Sequence, residues 1–388
     1  MRRSAAVMVL VLASPLWAQV DELVLRGFEE PPPGTAMGVG AQGVQVRSAQ
    51  GDVVIVGWDR VLKPPASLAE AAAEYDQLAM DSWRARARVE RGDLVLAEPL
   101  LLDIFERARA DGQKLRGPTG LVVAEGLLRC RLARGATAAA IEPWLAWLDA
   151  SIVRQPRTTF ANRQWARQAG LPQVIDPATE LCPMMPPMWL AIPSLRLVPQ
   201  LEPVEGERDK ASAMRALYRA AAAHELGQTI DDLPDVPREA ASELVRDIVA
   251  ARVLDASART SARARLEAAL GNADSAWRAA WIRAALGRSL VLEDDRELRL
   301  RGVAQLLRVH VLHRSDAPTL ADVSLAEAAV TLEQLGQPSA ARSLVSELIR
   351  LSPQSEVLSW PGLAPLLSAE QAAGGSASQS PTTAGETP

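Results

Sequence analysis

Lysine, asparagine, histidine and cysteine are all scarce in this 388-residue chain; the first two follow a base-composition bias toward arginine and alanine, and the last two limit the chemistry open to it. Three lysines (Lys63, Lys114, Lys210) stand among 42 basic residues against 47 acidic ones, for a formal charge of −5. Such a mildly acidic chain has no electrostatic reason to seek nucleic acid or an anionic membrane. With only 3 histidines and no Gly-x-Ser-x-Gly motif, a nucleophile has few bases to draw on. His310 and His313 are three apart at the end of a predicted helix but lack an evident third metal ligand, and read as solvated helix-end residues. His224-Glu225 opens like a zinc-peptidase helix, yet Gln228 stands where the second His belongs. The runs Asp231-Asp232 and Glu293-Asp294-Asp295 lack the order of a calcium loop and read as helix N-terminal charges. Residues 38–43 are glycine-rich but lead into strands, which excludes a phosphate loop. No catalytic, cofactor-binding or metal-binding residue is expected.

Long apolar runs are equally rare. Arg2-Arg3 precede the run Ala5 to Ala13, which ends in Ser14-Pro15-Leu16-Trp17-Ala18. That run is about half the ~20 apolar residues needed to span a bilayer, so residues 1–18 read as a secretory signal cut after Ala18. The chain is therefore expected to be exported, to the periplasm or beyond the cell, and not to span the membrane once the signal is removed. The 2 cysteines, Cys130 and Cys182, allow one disulfide in an oxidising compartment. Cys130 lies in the apolar helical run Leu127 to Leu132, where a buried free thiol is the alternative.

What the chain does have is a recurring pair. Gly92/Ala97, Gly135/Ala140, Gly271/Ala276 and Gly336/Ala341 each place an alanine five residues after a glycine that ends a helical stretch. Glycine supplies the left-handed residue that closes a helix, and a small side chain lets the next helix lie close to the first. The expected fold is mainly α, with stacked αα-hairpins and a small N-terminal antiparallel β unit. The β unit covers 19–63: Val44 to Arg47 alternates, Gly51-Asp52 turns, and Val53 to Trp58 returns, with a third strand before them at Val20 to Phe28. Helical hairpins follow over 66–153, the first helix opened by a capping box at Ser67 and Glu70 and running to about residue 91. A second hairpin array covers 209–367. Residues 368–388 are rich in Ala, Gly, Ser, Thr, Gln and Pro with no apolar periodicity from Gly374 on, and are expected to be disordered.

Between the helical halves, residues 154–208 carry prolines at 156, 172, 177, 183, 186, 187, 193, 199 and 203, so no continuous helix can form. Yet Leu181, Met184, Met185, Met188, Trp189, Leu190, Ile192, Leu195, Leu197 and Val198 are too apolar to be left in water. An extended segment packed along the helices is expected. The tryptophan pairs Trp144/Trp147 and Trp277/Trp281 each share a helix face; they read as packing between hairpins, with an aromatic ligand platform as the alternative.

Ala326 to Pro353 resembles one tetratricopeptide repeat, with Ala329 at the small position of the first helix, Gly336 at the turn, Ala341 at the small position of the second, and Pro353 closing the unit. The other three pairs resemble it less fully. The glycines fall 43, 136 and 65 residues apart, unlike the uniform ~34 of that family, which predicts an irregular array. Gly43 to Val61, ending Gly57-Trp58-Asp59-Arg60-Val61, is similar to the small SH3-like or Sm-like β modules of exported bacterial proteins. The resemblance implies a protein–protein interaction scaffold of the cell envelope that binds a protein partner of unknown identity, without a cofactor. The rival expectation is an envelope enzyme or polymer-binding protein with its site under the Pro/Met/Trp segment 181–190.

Overall fold

The structure is a computed structural model that describes residues 22–110, 116–151 and 173–369. The expected signal segment 1–18, the beginning of the proline-rich segment (152–172) and the tail from 370 onward lie outside these residues.

The protein is mainly helical, with adjacent helices packed as a stacked array and a small antiparallel β unit at the N-terminal end. The helices are α1 (Asp76–Glu90), α2 (Leu94–Ala110), α3 (Gly117–Ala133), α4 (Thr137–Ala150), α5 (Asp209–Glu225), α6 (Ala240–Val253), α7 (Ala256–Leu270), α8 (Ala276–Leu290), α9 (Arg296–His313), α10 (Pro318–Gln334) and α11 (Pro338–Leu351). Each packs on the next, α1 also on α3, α6 on α8 and α8 on α10, and α4 meets α5 across the intervening segment. Amphipathicity follows position in the stack. The apolar stripe of α11 is narrow, with Ala341, Val345 and Leu348 buried at successive turns. The inner helices α3 and α10 are buried on nearly all sides, so their sequences read apolar all round.

Three of the four glycine turns share one geometry. Gly92, Gly135 and Gly336 take φ of 77°, 75° and 74°. The following residue donates back to the helix, Asp93 to Arg88 O at 2.9 Å, Ala136 to Arg131 O at 2.9 Å and Gln337 to Leu332 O at 2.9 Å, which satisfies carbonyls the helix end leaves open. That same residue begins the next helix, accepting from the amides of Ala97, Ala140 and Ala341 at 3.1, 3.0 and 3.1 Å. Ala97, Ala140, Ala329 and Ala341 are all completely buried. Gly227 closes α5 in the same way, with φ of 88°.

The fourth pair departs from the expectation. Gly271 lies at φ −62° and is an ordinary helical cap. Four residues then separate it from α8, so Ala276 is the exposed first residue of that helix rather than a contact position. Ala280, one turn further on, is the completely buried alanine. The first long helix is also broken: residues 66–75 step through short turns, and the continuous helix begins at Asp76.

In the β unit, β2 (Thr35–Gly40), β3 (Gly43–Arg47) and β4 (Val53–Val56) form one sheet, while β1 (Val24–Leu25) pairs with β5 (Val61–Lys63). The strand beside β3 thus comes from Thr35–Gly40 and not from the expected Val20 to Phe28, because Gly40 and Gly43 fit the tight turn that joins it to β3, while Val24–Leu25 pairs with β5. The unit has its own core around Val44, Val56 and Trp58. It docks on α3 through Thr119, whose hydroxyl accepts from the Trp58 amide at 3.0 Å and donates to Gln42 O at 2.8 Å.

Candidate binding cleft

A chain interrupted by proline cannot satisfy its carbonyls in a ladder or a helix, so other groups must come to it. The segment from residue 173 to 201, which we call the strap, is served from the helices on both sides. Trp144 Nε1 on α4 donates to Glu180 O at 3.0 Å, and Trp281 Nε1 on α8 donates to Pro183 O at 2.9 Å. Tyr218 Oη on α5 donates to Met185 O at 2.6 Å, Arg288 Nη2 on α8 to Trp189 O at 2.6 Å, and Arg219 Nε to Pro199 O at 3.2 Å. Leu181, Cys182, Leu195 and Val198 are completely buried, in the same core as the helices before and after the strap. Leu197 departs from the expectation: it ends the short turn Pro193–Leu197 and is 52% exposed. The paired tryptophans are therefore packing residues: Trp144, Trp147 and Trp281 are buried, and two of their indoles hold strap carbonyls.

Arg288 belongs to a closed ring of four charges, two of them buried (Arg288 and Glu327) and two partly buried (Glu225 and Arg252). Its Nε donates to Glu327 Oε2 at 2.6 Å and its Nη2 to Glu225 Oε1 at 2.9 Å. Arg252 completes the ring, at 2.8 Å from Glu225 and 2.9 Å from Glu327. Two positive and two negative groups cancel, and together they tie α5, α6, α8, α10 and the strap to one point. Burial alone would push the Glu225 carboxyl up, but Arg288 and Arg252 outweigh it and hold this acid below the ordinary carboxylate value. Arg252, Arg288 and Glu327 were not singled out from the sequence, and Glu225 was read there only as part of an incomplete zinc-peptidase pattern. The signal present was a charge inside an apolar run, as in Leu286-Gly287-Arg288-Ser289-Leu290 and Leu325-Ala326-Glu327-Ala328-Ala329.

Beside the strap lies an open cleft of about 460 Å³, within the range of about 300–1,000 Å³ usual for ligand sites. Its apolar lining is Met184, Met185, Met188, Trp189 and Ile192 of the strap, with Leu320, Val323 and Val357. Its polar lining is Thr319, Asp322, Ser352, Gln354 and Glu356, and Arg134 with Gly135 borders it from the α3–α4 turn. Each acid of this lining is held by other groups. Asp322 Oδ1 accepts from Arg314 Nη1 at 3.0 Å and Ser352 Oγ at 3.0 Å, and Glu356 Oε2 accepts from Ser194 Oγ at 2.8 Å. Arg134 is turned toward Glu98.

Of the repeat positions marked from the sequence, only Gly135 borders this cleft; Gly92, Ala97, Ala140, Gly271, Ala276, Ala329, Gly336 and Ala341 are spread over four hairpins and frame the array instead. Among the described residues no group of three or more His, Cys, Asp and Glu side chains is placed to hold a metal ion, and no helix is long and apolar enough to cross a membrane. His310 and His313 are pushed below the usual imidazole value by burial, reinforced by Arg314 and Arg283 respectively. Of the acidic runs, Asp295 caps α9 by accepting from the Leu298 amide at 2.8 Å, whereas Asp231-Asp232 sit in a loop before Pro234 rather than at a helix start. Cys130 and Cys182 are free, buried thiols, both pushed up to about 12 by burial. No protein-family model matches the chain, and no curated protein or solved structure matches it either. The fold and the cleft define a class, a stacked helical-hairpin protein with an internal strap.

Proposed function

We propose that the protein is an exported scaffold of the cell envelope that binds a partner protein in the cleft beside the strap, its hairpins being tetratricopeptide-like. The observation that carries this reading is the open cleft with one methionine-rich wall. Thioether side chains are unbranched and adaptable, which suits a surface that accepts another chain. The room an array of hairpins offers along its helices is largely taken by the strap, and the cleft is open room beside it. The rival reading, an envelope enzyme or polymer binder with its site under residues 181–190, uses the same place. The ties of Asp322 to Arg314 and of both acids to serine hydroxyls support binding over acid–base chemistry. Export rests on the sequence pattern of residues 1–18.

The test is a photo-crosslinking amino acid placed in the full chain at Gln354, an exposed residue of the cleft, and separately at Arg84, an exposed residue of α1 outside it. In the native envelope a discrete adduct with one protein is expected from Gln354 and not from Arg84. Equal labelling from both positions, or none from Gln354, would refute a docking site here.

A further inference from the structure

The charges around the cleft are not equally compensated, and the difference points to the chemistry of what docks there. Arg134 is met by Glu98 through two nitrogens, at 3.1 Å from Nε and 3.0 Å from Nη2, and Asp322 is met by Arg314. Glu356 is exposed, accepts one hydrogen bond from the neutral Ser194 hydroxyl, and among the described residues is in no ion pair. It lines the cleft beside Val357, tied to Ser194 of the strap, and Met184, Met188 and Trp189 line the same cleft. A ligand that fills this room therefore meets both a soft apolar lining and one uncompensated negative charge.

We propose that the partner enters as a segment carrying an apolar side chain next to an arginine or lysine, the apolar group against Met184, Met188 and Trp189 and the cation at Glu356. The proposal rests on the cleft being the docking site and adds the sign of the charge that docks. Complementary charge selects among partners and rejects those of the wrong sign, while the apolar contact supplies most of the attraction. An acidic segment of the same shape would place like charge beside Glu356.

Three acetylated, amidated peptides that differ at one residue separate these contributions: Ac-SLFRS-amide, Ac-SLFQS-amide and Ac-SLFES-amide, titrated into the full chain by calorimetry at low ionic strength. The arginine peptide is expected to bind about fivefold more tightly than the glutamate peptide, the sum of one exposed attraction and one exposed repulsion. Glu356→Gln keeps an acceptor for Ser194 and is expected to bring the three peptides together, with an unchanged melting temperature as the control. Equal binding of all three to the wild-type chain, or a preference for the glutamate peptide, would overturn the charge assignment and leave the cleft standing. Binding of none of them to either chain would remove the cleft as the docking site, and with it this proposal.

Discussion

Replacing Arg288 with methionine removes one cation from the buried ring while keeping the length of the side chain. Arg288 is 2% exposed and its guanidinium serves Glu327 at 2.6 Å, Glu225 at 2.9 Å and the Trp189 carbonyl at 2.6 Å. After the change, Arg252 alone stands between two carboxylates, so the ring carries a net negative charge in a largely buried site, with Glu327 6% and Glu225 11% exposed. Breaking a buried ionic cluster on one side costs about 3–5 kcal/mol, a large share of the ~5–15 kcal/mol that holds a typical domain folded. The assay is urea unfolding followed by far-ultraviolet circular dichroism and by tryptophan fluorescence. Arg288→Met combined with Glu327→Met restores charge balance, leaving Glu225 with Arg252, and is expected to recover most of the loss.

Acid supplies an independent check. The folded value of Glu225 is depressed, so its contribution is present above the ordinary carboxylate value and is lost as pH falls through the folded one. The gap between wild type and Arg288→Met should therefore be widest near neutrality and narrow below about pH 4. A loss of less than about 1 kcal/mol from the single change, or a double variant no better than the single one, would refute the reasoning that the ring ties the helices and strap together.

The hairpin turns make a paired test: Gly336→Ala, at φ 74°, is expected to cost about 1–2 kcal/mol, whereas Gly271→Ala, at φ −62°, is expected to gain about 0.4–1 kcal/mol. Denaturant midpoints of the two variants would settle it, and equal effects would discredit the geometric distinction. Ala341→Leu should overpack a fully buried contact and cost about 1–3 kcal/mol, while Ala276→Leu, at an exposed helix start, should stay within about 0.5 kcal/mol of wild type. Tyr218→Phe leaves the Met185 carbonyl without its donor and is expected to lower stability by about 1–3 kcal/mol, read by the same unfolding curves. Both thiols should resist an aromatic disulfide reagent in the native chain and react together on unfolding, being buried and pushed up to about 12; rapid labelling of either one in the native state would contradict their placement.

Local features were legible in the sequence and distant ones were not. A glycine that ends a helix and an alanine five residues later describe a turn a few residues long, and three such turns have the geometry their spacing implies. Gly271 misled because alanine is frequent enough here for the spacing to arise without the turn, and the four residues after Gly271 lengthen the connection. The apolar content of Leu181 to Val198 required a cover, but the sequence did not say how its carbonyls would be satisfied. The donors Trp281 and Arg288 lie 98 and 99 residues away from Pro183 and Trp189. Likewise Glu225, Arg252, Arg288 and Glu327 meet only because α5, α6, α8 and α10 stack, and no local pattern announces the ring. The cleft combines residues from the α3–α4 turn, the strap, α10 and the segment after α11, so only its methionine-rich wall, contiguous in the chain, was visible beforehand.

The claim on which the rest depends is that residues 181–201 belong to the folded core and leave the cleft as open room beside them. Hydrogen exchange on the native chain, read by mass spectrometry, tests it directly. The amides of Met185, Leu195 and Val198 donate to Cys182, Ile192 and Leu195 carbonyls at 3.0, 3.1 and 3.0 Å inside buried surroundings. They are expected to exchange only with global opening, at the rate of the central amides of α8. Exchange of the strap on the timescale of an exposed hairpin turn such as Arg91-Gly92, well ahead of α8, would contradict the claim and free the groove that the strap is held to fill.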